Sequence, residues 1–433
     1  MRDDKDTKNS GDKLSRLVFD RRRFLGSGLL GGLAALAGGR RAEADGLSTS
    51  QLVVPPWSHR PGPGVATRAY GQPSPYEKSV IRRFLPWIRP TREASVSFTP
   101  LQDLHGIITP NGLFFERHHA GTPEIDPQQH RLVIHGMVEQ PLVFRVDELM
   151  RFPSVSRIHF IECAGNGAME QHGAMHNALQ FTHGMLSCAE WTGVPLRYLL
   201  REAGIRKGAR WLLAEGADAA GLARSFPIEK AMDDALIVYA QNGEPLRPEQ
   251  GYPLRLLLPG WEGVANVKWL RRLEVGDRPW ETREETATYT DLLPSGKARQ
   301  FTFVQEAKSV ITSPCPERPM PGRGRFMVEG LAWSGAGRIK AVDVSFDGGR
   351  NWRSARLKGL VLDKALTRFE IEWNWQGGQA LLQSRAIDET GYVQPTLGQL
   401  RAVRGMNSMY HNNAIQTWLI HPSGEVENVQ LDV

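Results

Sequence analysis

The chain has 433 residues, a formal net charge of +6 and 41% hydrophobic residues, more than one core of ordinary size holds, so about two folded domains are expected besides any processing segment. No apolar run reaches the ~18 residues of a membrane helix, so no membrane span is expected. Residues 1–44 carry 10 Lys and Arg against 6 Asp and Glu, leaving 43 against 41 in the remainder, a near balance that argues against a nucleic-acid-binding surface.

The first element in chain order reads as a leader. Asp20-Arg21-Arg22-Arg23-Phe24-Leu25 has a twin-arginine pattern, residues 26–39 are apolar and Gly-rich, and Ala42-Glu43-Ala44 is a small-residue cleavage site. This predicts a twin-arginine signal peptide over 1–44 and delivery of a folded protein, its cofactor already inserted, to the periplasm. Residues 45–99, rich in Pro, Arg and Ser with little periodicity, predict an extended N-terminal arm on the surface.

Over 100–296, strand-like runs at 131–135, 157–162, 211–214, 236–240 and 254–258 alternate with helical ones at 146–151 and 195–203. The spacing is too irregular for a βαβ series and no G-x-G-x-x-G follows a strand, so a mixed α+β domain is expected rather than a dinucleotide fold. Over 297–433 the pattern becomes alternation without helices. Val342, Val344 and Phe346 share a face, Asp347-Gly348-Gly349 supplies a tight hairpin, and Phe369, Ile371, Trp373 and Trp375 alternate ahead of a further strand at 380–387. The expectation is an immunoglobulin-like β-sandwich.

Three cysteines, Cys163, Cys188 and Cys315, are an odd number for an oxidising compartment, so at least one stays unpaired within the chain. No C-x-x-C-H is present, so no covalently attached c-type haem is expected in this chain. Cys163 stands where a strand gives way to a small-residue turn, in Phe160-Ile161-Glu162-Cys163-Ala164-Gly165-Asn166-Gly167. The strand sets the thiol's direction, the glycines allow close backbone approach, and a thiolate is a soft donor for a metal centre.

Other readings of Cys163 stay open at this point. It could be a buried core cysteine, or the nucleophile of a hydrolase with His159 as base, although a regular strand separates the two by ~13 Å. A non-catalytic binding protein built on the sandwich is a third possibility. His172 and His176 have i,i+4 spacing but lack the H-E-x-x-H glutamate of a zinc site.

Cys163-Ala164-Gly165-Asn166 resembles the C-A-G-N loop of the sulfite oxidase family, whose cysteine binds molybdenum beside a pterin dithiolene. Leu113-Phe114-Phe115-Glu116-Arg117-His118-His119 resembles that family's F-x-R-N-H segment, with His118 in place of Asn. Asn242-Gly243-Glu244-Pro245-Leu246, Gly251-Tyr252-Pro253-Leu254-Arg255 and Val267-Lys268-Trp269-Leu270 resemble its N-G-x-P-L, G-[FY]-P-x-R and V-K-W-L motifs, in order and at matching intervals.

The resemblance implies a sulfite-oxidase-type molybdopterin domain over 100–296 and a dimerisation-type sandwich over 297–433. It implies Cys163 as the metal ligand, Arg117 as the arginine that meets an anionic substrate and Tyr289 as the active-site tyrosine. Phe115, His118, His119 and Asp218 would line the pterin, while Arg255, Asn266, Val267 and Lys268 would grip its phosphate. The implied cofactor is molybdenum–molybdopterin in its oxo form.

One departure bears on the substrate. Where the family has a second arginine in N-x-W-H-R, this chain reads Asn413-Ala414-Ile415-Gln416-Thr417-Trp418, which puts Thr417 at the arginine's place. Residues 101–112 and the His118-His119 pair resemble the sulfane dehydrogenase (SoxC) branch of the family. That branch implies oxidation of sulfur carried on another protein during thiosulfate oxidation, a c-type cytochrome subunit as electron acceptor, and a homodimeric core within a hetero-oligomer. A free-standing periplasmic sulfite dehydrogenase is the alternative.

Overall fold

Residues 73–431, apart from 87, 89 and 90, are described by the computed structural model, and all of them fall in one compact unit, Gly71–Val433. The leader and the arm up to residue 72 lie outside the described residues. The rest of the arm departs from expectation. β1 (Arg83–Leu85) pairs with β2 (Ser95–Phe98), and β2 with β3 (Arg117–His118), all antiparallel. Ala94, Val96 and Phe98 are buried, and the Ser97 hydroxyl accepts from the Glu116 backbone N–H at 2.9 Å. Four residues of Ser-Val-Ser-Phe alternation were too short a signal against the Pro-rich surroundings, yet this strand aligns Arg117 and His118.

Two five-stranded sheets follow. Their strands are β4 (Arg131–Gly136), β5 (Leu142–Arg145), β6 (Val155–Glu162), β7 (Leu186–Pro195), β8 (Trp211–Gly216), β9 (Ala223–Pro227), β10 (Leu236–Gln241), β11 (Glu244–Pro245), β12 (Arg255–Leu257) and β13 (Leu270–Gly276). One sheet runs β11-β10-β7-β6 with β12 added to β10, and the other runs β5-β4-β13-β8-β9. Only β4 and β13 among these pairs lie parallel. Helices α1 (Val146–Leu149), α2 (Leu179–His183), α3 (Leu196–Ala203) and α4 (Ile228–Asp233) connect them. In α3, Leu196, Leu199, Leu200 and Ala203 are spaced at three and four residues, so they share a face. That face packs with Leu132, Ile134, Leu212, Ala214, Leu256 and Leu273 in one core.

After α5 (Arg283–Thr286), the small hairpin of β14 (Asp291–Leu292) and β15 (Ala298–Arg299) leads to the sandwich. One sheet contains β16 (Lys308–Ser313), β17 (Gly324–Trp333), β20 (Arg356–Lys358) and β21 (Thr367–Trp375). The other contains β18 (Ile339–Ser345), β19 (Arg353–Ser354), β22 (Ala380–Asp388), β23 (Thr417–Ile420) and β24 (Val426–Val429). Gly348 and Gly349 turn the β18–β19 hairpin with φ of +75° and +88°, the region glycine reaches without steric cost. The expectation of a helix-free segment fails at α6 (Leu397–Arg404). There Thr396 and Gln399 form a reciprocal capping box, and Leu397 and Leu400 face inward.

The two halves share apolar core. Phe160 of β6, Leu186 and Cys188 of β7 and Leu179 of α2 belong to the same buried cluster as Val310, Trp333, Val342 and Trp418 of the sandwich. Each large apolar side chain buried there contributes about 1.5–3 kcal/mol. The end of β6, which carries Cys163, is therefore anchored from both sides.

Candidate active site

Cys163 follows the last residue of β6 and is buried. Its N–H donates to Met185 O at 3.0 Å, and the Asn166 N–H donates to Cys163 O at 2.9 Å, closing a tight turn. The Asn166 side chain locks that turn. Its Nδ2 donates to Glu162 Oε1 (2.9 Å) and His183 O (3.1 Å), while its Oδ1 accepts from the Met185 N–H (3.1 Å). Of the two loop glycines, Gly167 is the one the backbone demands, with φ of +82°. Gly263 is needed for close approach, since a Cβ there would meet Glu162 O at 2.9 Å and Cys163 Cα at 3.3 Å.

Burial pushes the Cys163 thiol above its ordinary range, and the Arg117 guanidinium pulls it partly back. A nucleophilic cysteine requires the opposite shift. The His159 ring meets Lys364 O at 3.3 Å and lines a separate cleft with Asp234 and Lys364, so the hydrolase pairing is not formed. All three cysteines are free and buried. A metal binding the thiol would displace its proton.

Arg117, Tyr289 and His119 line the same cavity as the thiol. The Tyr289 hydroxyl lies 3.3 Å from His119 Nε2, and its ring stacks on Tyr410 with centroids 4.8 Å apart. The Arg224 guanidinium lies 5.6 Å from the Tyr289 ring centroid. Burial, reinforced by the Arg117 and Arg283 charges, lowers His119 to about 3. Burial also raises the Tyr289 phenol. Both groups are neutral near pH 7, so a single hydrogen bond joins them, its donor set by the His119 tautomer; when Nε2–H donates, the phenol O–H is left for a further acceptor.

A second group of cations and amides gathers around Lys268. Its Nζ donates to Glu249 O (3.0 Å), Arg117 O (3.2 Å) and His118 Nδ1 (2.9 Å), which uses all three protons. Burial, then the neighbouring Arg255, drive its ammonium well below the ordinary range. Arg255 is buried over Trp191, 5.4 Å from the ring centroid, and donates to Gln250 O and Oε1, both at 3.2 Å. Its Nε has no partner among the described residues, and burial lowers Arg255 to about 9. A buried guanidinium with an unfilled donor and a cationic neighbour calls for an anion.

The structure brings the sequence-predicted site residues together. Cys163, Arg117, Tyr289, Phe115, His118, His119, Asp218, Arg255, Asn266, Val267 and Lys268 all line one cavity, which encloses about 660 Å³ free of protein atoms, open solvent at its mouth included. Their parts differ in kind. The Asn266 side chain is committed to its own loop, donating to Trp261 O and Glu262 O and accepting from the Leu258 N–H. Asp218 Oδ1 accepts from the Leu222 N–H at 3.2 Å. Phe114, Ile161, Leu222, Gln250, Gly263, Val264 and Trp269 complete the lining. Sequence reasoning passed over these; Phe114, Trp269 and Gln250 sit inside or beside the matched motifs and were within reach.

Thr417 is a correction. It is buried at the start of β23, where its hydroxyl accepts from Gln383 Nε2 at 2.8 Å, and it does not line the cavity. The match across 413–418 was made without gaps over few residues, and it picked out a strand residue of the sandwich sheet.

Among the described residues no group of three or more His, Cys, Asp or Glu side chains could hold a metal ion. Cys163 thus offers one protein ligand, which suits a metal that arrives in an organic cofactor bringing its own donors. The partnerless Arg255 Nε, the Lys268 charge and the Cys163 thiol in one cavity fit a phosphorylated pterin carrying such a metal.

Fold and site together define a molybdopterin-binding oxidoreductase. Residues 119–284 match the family model described as the oxidoreductase molybdopterin binding domain, and 299–418 match the Mo-co oxidoreductase dimerisation domain. The mitochondrial sulfite oxidase of Mus musculus is 31% identical over 376 residues, covering 79% of this chain and 67% of that one. The nitrate reductase [NADH] 2 of Phaseolus vulgaris is 34% identical over 297 residues, 60% of this chain and 33% of that one. The crystal structure of the sulfane dehydrogenase SoxCD from Paracoccus pantotrophus superposes with a TM-score of 0.86 at 52% identity, covering 89% of this chain and 99% of that chain. The chain belongs to the sulfite oxidase family of molybdenum-cofactor enzymes.

Proposed function

We propose that this chain oxidises sulfane sulfur held covalently on a carrier protein during thiosulfate oxidation and passes the electrons to a c-type cytochrome partner. It would work in the periplasm, reached by twin-arginine export, as the homodimeric core of a hetero-oligomer. The 52% identity with SoxCD, spanning nearly all of that chain, supports this branch over a free sulfite dehydrogenase. The matched dimerisation domain supports self-association.

The observation that carries the reading is the pairing of one cation with the thiol. Of the cations that line the cavity, Arg117, Arg255 and Lys268, Arg117 is the one whose charge bears on Cys163, and Lys268 and Arg255 bear on each other's region, where Arg255 is held by Gln250. One guanidinium binds a singly charged or protein-tethered sulfur group, while a small dianion is held better by two.

When bound, the molybdenum–pterin group in its oxo form supplies two-electron oxidation with oxygen drawn ultimately from water. Cys163 would hold the metal through its deprotonated sulfur. Arg255 and Lys268 would hold the pterin phosphate, Arg255 through the Nε that has no partner among the described residues. Arg117 orients the anionic sulfur group. Tyr289, kept neutral by burial and accepting from His119 Nε2–H, would donate its one O–H at the reacting end, and Phe114, Phe115 and Trp269 would exclude water from the cofactor's flanks.

The sulfite oxidase relatives favour a second reading, oxidation of free sulfite. Assays of the purified protein with sulfite, thiosulfate and a persulfide-bearing carrier, with cytochrome c as acceptor, separate the two. Preferential turnover of the carrier is expected. Efficient turnover of free sulfite with none of the carrier would overturn the proposal in favour of the sulfite dehydrogenase.

A further inference from the structure

Four carbonyl oxygens in and beside the Cys163 loop are held by residues far along the chain. Glu162 O accepts from Gln305 Nε2 (3.4 Å), Ala164 O from the His411 N–H (2.7 Å), Asn166 O from Lys308 Nζ (3.2 Å) and Gly167 O from Asn412 Nδ2 (2.8 Å). All four donors lie within 299–418, the segment matched by the dimerisation domain.

The side chain preceding Cys163 is held from the same side. Lys308 and Trp333 face each other across β16 and β17, both buried, and together they bind the two oxygens of the Glu162 carboxylate. Lys308 Nζ donates to Oε1 at 3.1 Å and Trp333 Nε1 to Oε2 at 2.7 Å. Asn166 Nδ2 donates to Oε1 as well, so one carboxylate ties the turn's asparagine to the sandwich. A buried carboxylate, lysine and indole N–H satisfied this fully form a rigid unit.

We infer that the sandwich, besides its role in self-association, is the template that holds the Cys163 loop, with Lys308 as the principal positioning residue and Trp333 as its support. The inference rests on Cys163 being the metal ligand, as proposed above. In this arrangement the direction of the thiol is set across the boundary between the two halves rather than within the cofactor domain alone.

Lys308→Met would strand a buried carboxylate and is a poor test, because misfolding is its first effect. Two milder variants separate positioning from folding: Trp333→Phe, and Glu162→Gln combined with Lys308→Met, which removes both charges at once. In full-length purified protein, iodoacetamide labelling of each cysteine is followed by peptide mass spectrometry, together with molybdenum per chain and the Mo(V) spin signal.

Labelling of Cys163 is expected to quicken by about two- to tenfold, the factor associated with one net hydrogen bond, while Cys188 and Cys315 keep their rates. The spin signal should shift, and kcat should fall with KM unchanged. Wild-type labelling rates and an unshifted signal in both folded variants would overturn the inference, and so would equal acceleration at all three cysteines. A wild-type protein without molybdenum would sink the functional reading instead, and the labelling comparison would still decide whether the sandwich holds the loop.

Discussion

The Lys268 side-chain nitrogen lies 2.9 Å from His118 Nδ1, and because the Glu116 carboxylate at the other ring nitrogen can only accept, Nδ1 is the unprotonated one in the neutral ring. Nε2–H then donates to Glu116 Oε2 at 2.9 Å, and Glu116 is bound in turn by Arg82. A chain of polar contacts thus runs from the N-terminal segment to the cofactor cavity. It explains how His118 serves here where the family pattern has Asn: with Nε2 committed to Glu116, its Nδ1 accepts from the lysine.

This chain and its neighbour His119 set a pH dependence. Burial, then Lys268, lower His118, and burial, then Arg117, lower His119 to about 3. The unfolded chain therefore takes up protons near pH 6.5 that the folded protein refuses. Their contribution is complete above pH 6.5 and declines as pH falls toward 3. Burial raises Glu116, but the His118 hydrogen bond and the Arg82 charge together hold it below 4.5; its contribution is complete above that value and is lost below it. Melting temperature should begin to fall below pH 6.5, and His119→Gln should flatten the slope by up to about 1.4 kcal/mol per pH unit. A melting temperature constant down to pH 5 would contradict this.

Arg255 should show opposite effects on cofactor retention and bare stability. Arg255→Met removes a donor to the phosphate, and retention should weaken by roughly 10- to 150-fold, the equivalent of a charge-assisted hydrogen bond of about 1.5–3 kcal/mol. The cofactor-free variant should melt no lower than cofactor-free wild type, because a partly unsatisfied buried cation has been replaced by an apolar chain of similar length. Full molybdenum loading in the variant would show that the phosphate is held elsewhere.

Arg117 and Thr417 are expected to behave differently. Arg117→Gln should raise KM for sulfite and for carrier-bound sulfur alike, by roughly 10- to 150-fold. Thr417→Arg should improve neither. It breaks the contact with Gln383 and overpacks β23, costing on the order of 3 kcal/mol, which thermal melts would register. A gain in sulfite affinity from Thr417→Arg would mean that β23 approaches the cavity after all.

Export is tested at the leader. Arg21→Lys with Arg22→Lys should leave the precursor in the cytoplasm, as judged by fractionation and by retention of residues 1–44, because the twin-arginine route reads that pair. Unchanged periplasmic yield would remove the case for this route.

The cavity was legible in the sequence because its residues sit in short local motifs: a strand running into Cys-Ala-Gly-Asn, and Arg117 followed by two histidines. Strands such as β6 and β21 were legible from alternation, which burial on one face enforces. What escaped reading depends on contacts between distant segments. Tyr410 reaches Tyr289 from the loop between α6 and β23, and Lys308 is one lysine at a strand end until folding sets it against Glu162. Long β7 was not singled out because it is buried almost throughout and has no clear alternation. Helix α6 did carry a local signal, Thr396 and Gln399 at capping-box spacing, which was lost among strands.

The central claim, that Cys163 is the protein's ligand to molybdenum, is tested most directly by X-ray absorption at the molybdenum edge on purified wild type and Cys163→Ser at equal loading. A hydroxyl is a harder and poorly ionised ligand, so the variant should show one sulfur neighbour fewer, with turnover reduced by several orders of magnitude and the fold retained. The same sulfur coordination in both proteins, or no molybdenum in wild type, would contradict the account.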